Sequence, residues 1–138
     1  MIVTRLTLAL VTATVAALPL YAQDDAAAPA ATMSQAAVEA VIARSVLDRA
    51  PQDTGTAFPP DVGSLVLWTR VTDGAGQTLH HVWYHGDTEV GDIELQVGGS
   101  PWRTWSRKTV PAEWTGAWHV EVRDAAGTLL KRIDFTVG

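Results

Sequence analysis

Three sets of side chains in this chain have the types needed for recognition or chemistry, and spacing limits what each can do. The densest is Trp102-Arg103-Thr104-Trp105-Ser106-Arg107-Lys108, which packs indoles and cations into one short run. On a strand, successive side chains face opposite ways. Trp102, Thr104 and Ser106 then share one side, and Arg103, Trp105 and Arg107 the other. At most one of the two indoles can point into a core. The other lies near solvent beside guanidinium groups, where it either stacks within a Trp–Arg ladder of its own sheet or forms a platform for a ligand, with cation–π contacts of roughly 0.5–2 kcal/mol. Interfaces favour Trp, Tyr and Arg, so Arg103, Trp105, Arg107 and Lys108, with Tyr84, are the candidate ligand-binding residues.

The second set is His80-His81-Val82-Trp83-Tyr84-His85. Strand geometry sends His81, Trp83 and His85 to one face, and His80, Val82 and Tyr84 to the other. Imidazoles at i and i+4 of a strand sit about 13 Å apart, too far to share one metal ion. His119 is the one further imidazole available to complete a two-histidine site. No metal ligand set is therefore assigned, and His81, Trp83, Trp102 and Trp118 are expected as core or hydrogen-bonding residues. The third set, the nucleophiles, is sparse. There is no cysteine and no Gly-x-Ser-x-Gly elbow, and Ser45, Ser64, Ser100 and Ser106 have no local signature pairing them with a base. Paired carboxylates drawn from separate strands leave no mark in the sequence. No catalytic residue and no cofactor is expected, and the reading is non-enzymatic.

The elements that must hold these groups are strands. From Val38 onward, β-branched and aromatic residues recur at period two between Gly and Pro turns. Seven strands are expected: Val38 to Arg49, closed by Pro51; Ser64 to Val71; Thr78 to His85; Glu89 to Val97; Trp102 to Lys108, closed by Pro111; Ala117 to Arg123; and Thr128 to Val137. Ala36 to Ala43 also reads as a short helix on alanine propensity. Val90 is out of phase with Ile93, Leu95 and Val97, which places a bulge at Gly91. Trp118, Val120 and Val122 alternate cleanly with His119, Glu121 and Arg123. Gln52 to Gly63, with Gly55, Pro59 and Pro60, is expected to be a long irregular loop. The pattern predicts an all-β fold, an antiparallel immunoglobulin-like β-sandwich or a small barrel.

The ends bound location and partners. Arg5, the apolar run Leu6 to Leu18 and Ala22 read as a signal peptide over residues 1–22, cleaved after Ala22 or retained as an anchor. The run is short for a membrane span of about 20 residues, and no other segment qualifies. Residues 23–36 read as a flexible Ala/Pro-rich tether, and residues 37–138 as the sandwich domain. Cysteine is absent, so the core alone must hold an exported fold. The formal charge of −5 becomes about −6 once Arg5 leaves with the signal, which argues against nucleic acid as a partner.

The succession Ala43-Arg44, Asp48-Arg49-Ala50-Pro51, Leu67-Trp68-Thr69-Arg70, His81-Val82-Trp83-Tyr84, Trp102 to Lys108, Trp114-Thr115-Gly116-Ala117-Trp118, then Gly127, Leu130 and Phe135 resembles a bacterial family known as domain of unknown function 2914. The resemblance covers about residues 38–137, and its Trp-Arg-Thr-Trp-Ser and His-x-Trp-Tyr segments are its most specific parts. It implies an exported or membrane-tethered protein with this domain near the C-terminus, and it carries over no activity and no catalytic residues. The resulting expectation is a periplasmic or extracellular binding module for a cell-envelope protein or glycan. A carbohydrate-binding module and a metal-binding periplasmic protein using histidines are the alternatives.

Overall fold

The computed structural model describes residues 36–138. The expected signal segment and all but the last residue of the expected tether lie outside them. That last residue, Ala36, is buried against the domain core.

Ten strands form two packed sheets and one small hairpin. β1 (Ala37–Ala43), β5 (Ser64–Thr72) and β8 (Trp102–Thr109) make a three-stranded sheet in the order β1-β5-β8. β4 (Ala57–Phe58), β10 (Leu129–Val137), β9 (Gly116–Asp124), β6 (Thr78–His85) and β7 (Thr88–Gln96) make a five-stranded sheet in that order. β2 (Ser45–Leu47) pairs with β3 (Ala50–Gln52). The seven expected strands correspond to the seven long ones. The first, second and fifth share one sheet and the others share the second, a Greek-key arrangement of immunoglobulin-like type. The fold is an all-β sandwich with no helix among the described residues.

Period-two alternation accounts for the core. Ile42 on β1, Leu65, Leu67 and Val71 on β5, Leu79 and Trp83 on β6, Trp118, Val120 and Val122 on β9, and Phe135 and Val137 on β10 fill the space between the sheets. The aromatic members meet edge-on or stacked: Phe135 contacts Trp83 at 6.3 Å and Phe58 at 6.2 Å edge-on, and stacks on Trp118 at 5.8 Å between ring centroids. Such geometry suits the ring quadrupoles. β6 turns into β7 through Gly86-Asp87. Only Gly86, at φ 61°, needs the left-handed region, which fits a two-residue hairpin of type II′. The expected bulge is present: the β6–β7 register slips between Trp83↔Gly91 and Tyr84↔Glu89, leaving Val90 unpaired.

Two expectations are corrected. The first strand does not run on to Arg49. It stops at Ala43, and Ser45–Gln52 becomes a hairpin whose two turn residues, Asp48 and Arg49, both adopt positive φ (50° and 63°). This hairpin lies over the outer side of β1 and β5, and Ala43 and Val66 beneath it are fully buried. Sequence periodicity cannot report a reversal made by non-glycine residues in the left-handed region. The segment Gln52 to Gly63 is also not wholly irregular. β4 lies within it and pairs in parallel with the end of β10, where Phe58 joins the core.

Candidate binding face

β8 carries the candidate site, and what lies behind it fixes its orientation. Ser106 projects inward from β8 toward His81, which projects inward from β6 of the opposite sheet. The Ser106 Oγ–His81 Nδ1 distance is 2.8 Å, and Thr69 Oγ1–His81 Nε2 is 3.3 Å. Proton counting sets every direction. The Thr69 hydroxyl donates to the Thr104 carbonyl at 2.9 Å, so it accepts from His81 Nε2–H. His81 Nδ1 then accepts from the Ser106 hydroxyl, and Ser106 Oγ accepts from Trp83 Nε1–H at 3.3 Å. Every donor is used, and His81 is neutral. Burial lowers its pKa to about 3 because the imidazolium loses its hydration. Ser106 thus has the histidine partner that the sequence did not reveal, but His81 has no exposed surface and Ser106 is 6% exposed. The pair bolts β8 onto the five-stranded sheet.

The register of the three-stranded sheet builds the outer face in rows. Glu39, Arg70 and Arg103 form one row, Val41, Trp68 and Trp105 the next, and Ala43, Val66 and Arg107 the third. The β2–β3 hairpin covers part of this surface. Trp68 is buried by it and donates its Nε1–H to the Arg49 carbonyl at 2.8 Å. Trp105, one strand further out, is left 38% exposed. Arg107 donates to Ser64 Oγ at 3.0 Å, which holds its guanidinium near the sheet. Arg70 reaches Glu39 only at 3.8 Å, and its Nε is buried without a hydrogen-bond partner.

Trp102 differs from its expected core position. It has the inward parity of Ser106, but it sits at the start of an edge strand where the opposite sheet does not cover it, and it is 38% exposed. Its ring lies flat on Gly98, where a Cβ would come within 2.7 Å of it. Trp102 and Trp105 border one surface groove of about 570 Å³ together with Arg49, Pro101 and Arg103. The two indoles leave β8 on opposite sides of the strand.

The structure therefore brings Arg103, Trp105 and Arg107 together and separates the other two candidates from them. Lys108 has inward parity, and its aliphatic stem runs beside Gly91 of β7. Tyr84 lies on the outer face of the five-stranded sheet, stacked on His119 at 4.3 Å. Burial and then the carboxylates of Glu121 and Glu89 push its phenol pKa up. That second face is acidic in character. His80 pairs with Asp92 at 2.8 Å, Glu121 is held by Arg123, and Asp134 by Arg132. Hydrogen bonding to Arg132 holds the Asp134 carboxyl below its usual range. His81, Trp83 and Trp118 are buried. Among the described residues, no three His, Asp or Glu side chains are grouped to hold a metal ion. Arg49 and Arg70 were missed as members of the face. Arg49 arrives through the hairpin turn and Arg70 through register, and neither leaves a local sequence signal.

Residues 76–137 match the model of the family described as protein of unknown function (DUF2914). The resemblance to domain of unknown function 2914 holds. The matched segment contains β6 to β10, and with them the His81–Ser106 bolt and the exposed indoles of β8. No curated protein matches the chain. Among solved structures, the crystal structure of an engineered protein aligns with 75% of this chain at 17% identity and a TM-score of 0.42. The aligned part spans 20% of that engineered protein.

Proposed function

We propose that this is an exported, non-enzymatic binding module, periplasmic or extracellular, that engages a cell-envelope partner through the outer face and free edge of β8. The observation that carries the reading is Trp105. It is left 38% exposed midway along the edge strand β8, with Arg70 and Arg103 in the row to one side and Arg107 in the row to the other. An exposed indole between guanidiniums is the composition of an interface centre. Export is supported by the signal-like residues 1–22.

A protein partner is favoured over a glycan. A sugar platform needs two rings turned the same way, and strand parity turns Trp102 and Trp105 apart. The test is retention of envelope material by the full chain against Arg103→Ala and Trp105→Ala. Both variants should melt close to the parent and lose retention. A large fall in melting temperature with retention unchanged would return these residues to a structural role, and titration with peptidoglycan fragments and polysaccharides that produced heat would replace the protein by a glycan.

A further inference from the structure

Four strand edges terminate the two sheets, and they are not equally protected. β7 is broken by the bulge at Val90 and carries Glu89, Asp92 and Glu94. β4 is two residues long, and the β2–β3 hairpin follows directly from β1. β8 has none of these guards except charge. It runs for eight residues in unbroken register with β5 and, among the described residues, pairs with no other strand. A strand of that length offers about 27 Å of backbone for pairing. Its cations explain which strand it avoids. An antiparallel β8–β8 contact between two copies centred on Trp105 sets Arg103 of each copy against Arg107 of the other, and like charges directly opposite are destabilising. The same cations favour a strand bearing carboxylates.

Resting on the binding-face reading above, we propose that the free edge of β8 takes up an extended acidic segment of a partner protein as an added strand. Carboxylates of that segment lie opposite Arg103 and Arg107, and an apolar side chain lies against Trp105. Backbone hydrogen bonds supply the generic affinity, and alternate side chains the selectivity. The indoles suit this occupant better than a flat ligand. Trp105 and Trp102 leave β8 on opposite sides and each is 38% exposed, so one indole is available to each face of an added strand.

The experiment titrates the full chain with a fluorescent seven-residue peptide alternating Thr with Glu, Val and Glu. Two further peptides carry N-methyl groups on alternate amides, one on each parity, and a fourth has Lys for Glu. Strand addition predicts that one methylated peptide binds at least ~tenfold more weakly while the other binds as the parent, since a strand presents alternate amides to its neighbour. It also predicts slowed hydrogen exchange at β8 amides, and recovery of the Lys peptide by the doubly reversed Arg103→Glu/Arg107→Glu chain. Equal binding of both methylated peptides would reduce the contact to charge attraction and overturn the proposal. Binding of phosphatidylglycerol vesicles but not of the peptide would overturn it in favour of a lipid surface. If the peptide fails while Arg103→Ala still loses envelope retention, the face stands and strand addition falls. If both fail, the binding-face reading falls with it.

Discussion

Trp83 and Trp105 are the same residue type, each on a strand with alternating side chains, and they end in opposite environments. Trp83 sits on β6, which has β9 on one side and β7 on the other. Its ring is fully buried against Phe135, and its Nε1–H is used by Ser106. Trp105 sits on β8, which has a neighbour on one side only, and it faces away from the opposing sheet. The lesson is that an indole's role is set by its strand's rank in the sheet and by parity, not by local composition. Trp68 makes the point within a single row. It has the outward parity of Trp105, yet the β2–β3 hairpin buries it, because that hairpin covers β5 and not β8.

The comparison breaks most visibly under truncation. Trp83→Ala should destabilise the fold by about 3–5 kcal/mol, the range for losing a buried large aromatic. Trp105→Ala should stay within about 1 kcal/mol of the parent. Chemical denaturation of both variants measures this, and equal losses would erase the distinction between the two rings.

Acid comes next. The pKa of His81 is about 3 in the folded chain against the ordinary 6.5. Between those values the unfolded chain takes up a proton that the folded chain refuses. Stability is therefore unaffected by this group above pH 6.5 and falls as pH drops through the window toward 3. The slope approaches about 1.4 kcal/mol per pH unit. His81→Gln should flatten that part of the stability–pH profile, and an unchanged profile would show that His81 is not the group responsible.

Ser106→Ala should cost about 1–3 kcal/mol, because it strands the Trp83 Nε1–H donor and the Nδ1 acceptor of His81 in the core. Amide exchange in β8 should rise with it, since the bolt to the second sheet is gone.

The smallest change sharpens the comparison at the groove. Gly98→Ala puts a methyl group where the Trp102 ring lies, and the clash falls on the far end of that ring. The ring should swing away with less than about 1 kcal/mol of stability lost. A changed indole emission without a shift in melting temperature is the expected result.

Much of the fold was legible from residue order. The alternation of Trp118, Val120 and Val122 with His119, Glu121 and Arg123, the phase break at Val90, and the punctuation by Gly and Pro give strands, a bulge and a sandwich, because a pleated chain with one buried face must repeat every two residues. Sequence also named Arg103, Trp105 and Arg107 for one side of β8, since parity is a local property, but it grouped with them Lys108, which has inward parity, and Tyr84, which lies on the other sheet. It counted Trp102 with the core residues, whereas both β8 indoles are 38% exposed. It also missed that Ser106 has a histidine partner and that Arg49 joins the groove through a reversed hairpin. Each of these depends on which strands become neighbours and which lie at an edge. Those assignments are made by contacts between residues far apart in the chain, such as His81 with Ser106 and Trp68 with Arg49, and period-two patterning is the same for an edge strand as for a central one.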